Sequence, residues 1–322
     1  MKALVTGATG FVGSHLVEAL QRSRVEVTAL ARSKEKAAAL LAGGVRVITA
    51  DLHDPDGLAQ AAEGQQVIYH VAGVVAARNE AEFLRANRDG TRNILAAAEA
   101  GGRPRFILVS SLAAGGPAPR GLPLDGSEPA RPVTAYGRSK LASEQAVRGS
   151  TLSWTIVRPP IVYGPRDREV FKVFRIARFG VAPVFGDGTQ ELSAVHAADL
   201  AGALLAVAAT DRTAGRTYNA CHPEVFTSAQ FGRAVGESMG RSVGTVRIPA
   251  PLGRMLLSLT ETAASIGGQT TILTTDKANE FFQPAWTGDP RPLTRDTGWS
   301  ATHDLRSGLA DTYQWYRRDG WL

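Results

Sequence analysis

Apolar and polar positions along the first half of the chain follow two rhythms that take turns. Ala3–Thr6 is a short apolar run, and Phe11–Leu20 then repeats at helical spacing, with Val12, His15, Leu16, Ala19 and Leu20 on one face. The exchange recurs, predicting strands at Val25–Leu30, Val45–Ile48, Val67–Val71 and Phe106–Val109. Helices are predicted at Ser33–Leu41, Asp54–Ala62 and Glu80–Ala100, the last ending at Gly101-Gly102, where left-handed backbone is easy. Phe106–Val109 is apolar throughout, as expected of a strand covered on both faces. Such alternation predicts an α/β fold with a doubly wound parallel sheet.

After Arg158 the rhythm changes. Tyr163-Gly-Pro165 is a turn, Glu169–Phe179 and Ala197–Ala209 are helical, Val181–Gly188 is loop-like, and Arg216–Asn219 is a final strand. Helices are expected near Ser228–Met239, Pro251–Ile266 and Leu305–Trp315. Residues 1–163 with 195–220 are therefore expected to form the sheet domain. Residues 164–194 with 221–322 would form a smaller C-terminal lobe that binds substrate. The Gly/Pro-rich Gly115–Pro132 is expected to be a mobile loop over the site.

Composition narrows the function classes. The net charge of +6 is spread among acids, with no basic block of five or more, so a nucleic-acid partner is not expected. Part of the excess is available to an anionic ligand. No apolar stretch approaches the roughly 18–20 residues of a membrane span, and no membrane partner is expected. Met1-Lys2 runs straight into a strand without a signal-like segment, and Cys221 is the single cysteine, so a cytoplasmic location is expected. His53, His70, His196 and His222 have no metal-ligand spacing, and no metal is expected.

Thr6-Gly7-Ala8-Thr9-Gly10-Phe11-Val12-Gly13 joins the first strand to the first helix. Gly7 permits the tight turn, Gly10 the approach of a pyrophosphate, and Gly13 close packing of helix on strand. Thr9, Phe11 and Val12 lie alongside at a helix N-terminus, whose free N–H groups and dipole favour phosphate. The context is that of a Rossmann-type dinucleotide site. The second strand ends Leu30-Ala31-Arg32-Ser33-Lys34, with no acid to bind ribose hydroxyls; Arg32 suits a 2′-phosphate, favouring NADP over NAD. Asp51-Leu52 after the third strand would meet the adenine edge, and Ala72-Gly73 after the fourth would let the cofactor lie close to the backbone.

Tyr136 and Lys140 open a helix running to about Arg148, on one face and one turn apart. A neighbouring cation favours a phenolate. Ser110 and Ser111 end the fifth strand, the edge where ligands gather. Thr6–Gly13, Ser111, Tyr136–Lys140, Arg158-Pro-Pro-Ile-Val-Tyr-Gly-Pro165, Asn87-Arg-Asp-Gly-Thr91, Val195-His-Ala-Ala-Asp199 and Gly298-Trp299 together resemble the extended short-chain dehydrogenase/reductase family. The resemblance runs almost the full length and includes epimerases, dihydroflavonol-reductase-like and 3β-hydroxysteroid-dehydrogenase-like enzymes. It implies that Tyr136 exchanges a proton with the substrate oxygen and that Ser111 hydrogen-bonds the same oxygen. Ser111 is preferred to Ser110 because the family places its serine about 25 residues before the tyrosine. Lys140 would lower the phenol pKa and bind the nicotinamide ribose. Asn87 joins the cofactor set, and Pro159, Ile161 and Val162 would pack near the nicotinamide. It also implies a homodimer through the 80–100 and Tyr136 helices.

Departures from the family pattern choose among its members. Sugar-nucleotide enzymes usually carry a diphosphate-gripping arginine where this chain reads Gly188-Thr-Gln-Glu191-Leu192-Ser193. Dehydratases place an acid after the serine, where this chain has Leu112-Ala113-Ala114. Those residues and Met255-Leu-Leu257 suggest an apolar pocket, although core packing explains them equally well. The expected activity is NAD(P)-dependent interconversion of a carbonyl and a hydroxyl on a small non-nucleotide substrate. The alternatives are a sugar-nucleotide epimerase, with Arg166, Arg168 or Arg291 as the grip, and a dinucleotide sensor without turnover.

Overall fold

The apolar runs of the first half form strands, and the helical repeats between them form the crossovers. In the computed structural model, which describes residues 1–267 and 270–322, the chain begins with β1 (Lys2–Thr6), α1 (Phe11–Arg22), β2 (Glu26–Ala31) and α2 (Ala38–Ala42). It continues through β3 (Arg46–Thr49), α3 (Pro55–Ala62), β4 (Val67–His70), α4 (Glu80–Phe83), a π-helical segment (Leu84–Asp89) and α5 (Gly90–Ala100). Next come β5 (Arg105–Val109), a short α6 (Leu112–Gly115), α7 (Ala135–Arg148) and β6 (Trp154–Arg158). Then follow β7 (Ile161–Tyr163), α8 (Glu169–Ala177), β8 (Val181–Phe185), β9 (Glu191–Leu192), β10 (Ala194–His196), α9 (Ala197–Ala208) and β11 (Arg216–Asn219). The tail holds β12 (Phe226–Thr227), α10 (Ser228–Ser238), β13 (Gly244–Ile248), α11 (Ala250–Ile266), α12 (Ala278–Phe281), β14 (Ala285–Trp286), α13 (Arg291–Thr297) and α14 (Leu305–Arg318). Gly268 and Gln269, within the expected second lobe, lie outside the described residues.

The main sheet has the order β11-β6-β5-β4-β1-β2-β3, and every pair in it is parallel. The winding reverses between β1 and β4, which opens a crevice beyond their carboxyl ends. Successive strand residues enter opposite apolar layers. Val5, Ile107 and Val157 pack with Leu16 and Leu204 on one face, while Leu4, Phe106 and Ile156 pack with Leu58 and Ile94 on the other. This double coverage is why β5 lacks alternation in sequence. A third cluster, including Phe174, Val235, Leu309 and Tyr316, is drawn from residues after β6.

Four expectations need correction. The helix expected at Ser33–Leu41 is only Ala38–Ala42; the Ser33 hydroxyl accepts from Lys36 N–H and holds the preceding residues in turns. Val181–Phe185 is a strand paired with Gly244–Ile248, with Ala182 and Val184 buried and Pro183 exposed. Proline disguised it, as it does in edge strands. The 80–100 helix is interrupted by its π-helical segment, which carries Asn87. The loop at 115–132 is tied down: Ala118 bridges to Ala285, Leu124 to Gly288, and Arg131 N–H donates to Gly115 O at 2.7 Å.

Candidate active site

Gly7 turns the chain at φ +71°, and a Cβ there would lie 2.7 Å from Ala72 N. A Cβ on Gly13 would sit 2.1 Å from Gly7 O, so only glycine lets α1 pack this closely on the turn. Gly10 is the N-cap, offering no side chain to the free N–H groups, and the first turn holds no acid. Thr9 and Gly10 are exposed, while Phe11 and Val12 are half-buried beside them. The turn thus presents bare N–H donors and a positive dipole end at the switch point of the sheet.

Across the crevice, Thr134 caps α7 and sets Tyr136 and Lys140 in its first two turns. Tyr136 is hydrogen-bonded to Ser111, which also caps α6 by accepting from Ala113 N–H at 3.2 Å. Burial pushes the phenol up to about 12; the Ser111 bond opposes this and the Glu280 carboxylate adds to it. Burial is the largest influence on the phenol. At neutral pH the phenol carries its proton.

Lys140 is 5% exposed and donates to Val109 O at 2.8 Å. Burial depresses its pKa to about 8, with Glu144 partly offsetting. No carboxylate lies within ion-pair distance of it among the described residues, so two of its three N–H bonds remain available. A Cβ on exposed Gly73 would lie 3.6 Å from this ammonium and 3.1 Å from Asn87 Oδ1. The Asn87 amide accepts from Val74 N–H at 2.8 Å and donates to Ser139 at 2.9 Å, tying the Gly73 loop to α7. Leu112 N–H donates to Pro159 O at 2.9 Å, and Ile161 and Val162 run beside α6 and β10 as half-buried walls. Bare glycine backbone, an uncapped helix end and a buried, unpaired ammonium together fit a dinucleotide.

Around the adenosine end, Arg32 is exposed directly after β2, and exposed Asp51 turns the chain after β3 by accepting from His53 N–H at 2.9 Å. Leu52 is half-buried against Gly90. His70, by contrast, is a core residue bonded to Thr6 and Thr91, its pKa lowered to about 3 by burial and the Lys140 charge.

Two groups here have no sequence signature. Glu144, one turn beyond Lys140, is fully buried and accepts from Arg158 Nε and Nη2 at 2.8 and 2.7 Å, from Arg148 at 2.9 Å and from Ser110 at 2.6 Å. Ser110 thereby locks α7 to the sheet, while Ser111 faces the tyrosine. The second group comes from residues 276–280, far along the chain. Asp276 accepts from Ala135 N–H at 2.8 Å and Glu280 from the Thr134 hydroxyl at 2.7 Å, placing two carboxylates at the N-terminus of α7. Lys277 pairs with Glu280, and its ammonium lies 5.8 Å from the centroid of the Tyr136 ring. Phe281 and Phe282 pack on Phe185 just beyond.

The arginines named as possible diphosphate grips are engaged elsewhere. Arg166 forms a two-pronged pair with Glu18, Arg168 stacks 5.7 Å over Trp321, and Arg291 pairs with Asp289 at 2.7 Å. Glu191 accepts from Gly121 N–H at 2.7 Å, and Gln190 donates to Glu280 O, Phe281 O and Gln283 O.

Comparison with known proteins agrees with this architecture. The family model for the NAD dependent epimerase/dehydratase family matches residues 3–221. A ceramide reductase of Caulobacter vibrioides is 34% identical over 319 residues, covering 99% of this chain and 95% of that protein. The crystal structure of gox2253 matches with a TM-score of 0.81 at 26% identity, covering 99% of this chain and 98% of that one. MoeE5 in complex with UDP-glucose and NAD matches with a TM-score of 0.78 at 25% identity, covering 99% of both chains.

Proposed function

The chain belongs to the NAD dependent epimerase/dehydratase family, and within it we propose an NADP-dependent reductase that converts a ketone to an alcohol on an apolar, lipid-like substrate. The bound dinucleotide supplies hydride. Tyr136 holds a proton on its phenol oxygen and releases it to the substrate oxygen as negative charge develops there. Ser111 donates to the same oxygen and fixes its position. Lys140, anchored on Val109 O, turns its remaining N–H bonds toward the ribose beside Gly73 and Asn87.

The engagement of Arg166, Arg168 and Arg291 carries the choice against a sugar-nucleotide epimerase. None of the three arginines named as grips is left unengaged, and at the position where the family usually carries its arginine a diphosphate would meet Glu191. Similarity to a ceramide reductase over 99% of the chain supports a substrate with long apolar chains, as does the aromatic cluster of Phe185, Phe281 and Phe282. Exposed Arg32, with no acid after β2, supports NADP. A homodimer through α4–α5 and α7 remains part of the proposal.

Fluorescence titration with NADPH and NADH, followed by turnover on a long-chain β-keto lipid and on UDP-glucose, tests the reading. Tighter NADPH and reduction of the lipid ketone are expected. NADH preference with conversion of UDP-glucose would replace it with the epimerase.

A further inference from the structure

The α11 helix is apolar on two faces. One is covered: Leu257 is 2% exposed, and a Cβ on Gly253 would lie 2.9 Å from the Phe282 ring and 3.0 Å from Phe185. The other is not. Leu252, Met255, Leu256 and Leu259 follow i, i+3, i+4, i+7 spacing and are 43%, 53%, 40% and 60% exposed. Scattered exposed leucines need no explanation, but four on one stripe mark a contact surface. The strand leading into the helix adds exposed Val246.

Charge identifies what covers this face. Residues 238–260 carry Arg241, Arg247 and Arg254 and no acid, and residues 170–186 carry Lys172, Arg175 and Arg178 and no acid. The two stretches are joined by the β8–β13 pairing. Of these six cations Lys172 is paired with Glu169 at 2.7 Å, which leaves five arginines. Arg178, Arg241, Arg247 and Arg254 form no ion pair among the described residues. A second copy of the chain would bring like charges together, whereas an anionic bilayer would neutralise them.

We propose that this face docks on an anionic membrane surface, with the leucine stripe of α11 at the headgroup–acyl boundary and the arginines on lipid phosphates. Such docking needs one apolar face rather than a spanning helix, so the absence of a long apolar stretch in the sequence does not bear on it, and no described helix is long and apolar enough to cross a membrane. The inner face of α11 rests on Phe282, five residues after Lys277, whose ammonium stands over Tyr136. A lipid leaving the bilayer past α11 therefore meets the aromatic cluster and then the phenol. Docking itself is independent of the reductase reading; its use in substrate delivery rests on that reading.

Flotation of the full chain with phosphatidylcholine vesicles, with and without phosphatidylglycerol, tests docking without turnover. Binding is expected only with phosphatidylglycerol. Arg247→Gln/Arg254→Gln should weaken it about 25-fold, at about fivefold per cation, and Leu256→Glu/Leu259→Glu should weaken it at least about 100-fold. NADPH affinity, read on the same samples, should be unchanged in both variants and reports that they fold. No binding to either vesicle, or binding untouched by the leucine changes, overturns the proposal. So does a dimer in solution that Leu256→Glu/Leu259→Glu dissociates without any vesicle binding. A protein that docks but does not reduce lipid ketones would refute the reductase reading alone.

Discussion

Lys140→Met separates what the ammonium costs the fold from what it contributes to the site. The side chain is 5% exposed, with one hydrogen bond to Val109 O and no paired carboxylate among the described residues. Its pKa falls from 10.5 to about 8, which makes the charged form about 3 kcal/mol less favourable in the folded chain at neutral pH. Methionine, of similar length, removes that cost but leaves the Val109 carbonyl without its donor, a loss of about 1–2 kcal/mol. The variant should therefore be about 1–2 kcal/mol more stable near neutrality while losing about 100-fold or more in turnover. The pH dependence gives a second reading. Between about pH 8 and 10.5 the unfolded chain binds the lysine proton and the folded chain does not, so wild-type stability rises relative to the variant across that window. The variant's advantage should vanish by its upper end. Urea unfolding followed by tryptophan fluorescence, at neutral pH and at about pH 10, measures both quantities. A variant less stable than wild type at neutrality, or a stability difference that does not change with pH, would show that the ammonium is compensated and would refute the reasoning.

Tyr136→Phe should lower turnover about 100-fold or more while leaving dinucleotide affinity nearly unchanged, measured by steady-state kinetics and fluorescence titration; retained activity would exclude Tyr136 as the acid. Glu144→Leu strands the buried Arg158 charge and should cost about 3–5 kcal/mol in denaturant unfolding, whereas Glu144→Leu/Arg158→Met should recover most of it. Additive losses in the double variant would mean that the two side chains act separately.

The positions of the glycine turn, Ser111, Tyr136 and Lys140 were legible because each depends on local spacing: a strand-to-helix turn, the end of β5 and one turn of α7. The doubly wound sheet was legible for the same reason, each crossover being a local change of period. Glu144 and Arg158 gave no signal, since their pairing across a helix and a strand exists only once α7 lies on the sheet. The choice of Ser111 over Ser110 rested on family spacing; in the structure the Ser110 hydroxyl donates to Glu144, an engagement that Ser111 does not share. Asn87 stood out in the resemblance, but the π-helical segment that carries it did not, because inserting one residue into a helical turn leaves the composition of the stretch unchanged.

What the sequence could not express is the contact of residues 276–280 with the N-terminus of α7. Thr134 caps the helix and is itself bonded to Glu280, while Asp276 takes the Ala135 N–H. Both carboxylates reach the helix end from more than 140 positions away, on a segment whose next residues, Phe281 and Phe282, pack on Phe185. Glu280 also raises the proton affinity of Tyr136. In the proposed reductase, substrate fit and the acidity of Tyr136 would therefore share one piece of chain. With these roles, a change in residues 276–282 should alter substrate KM and the pH profile of turnover together, whereas a change in the glycine turn should alter only dinucleotide affinity.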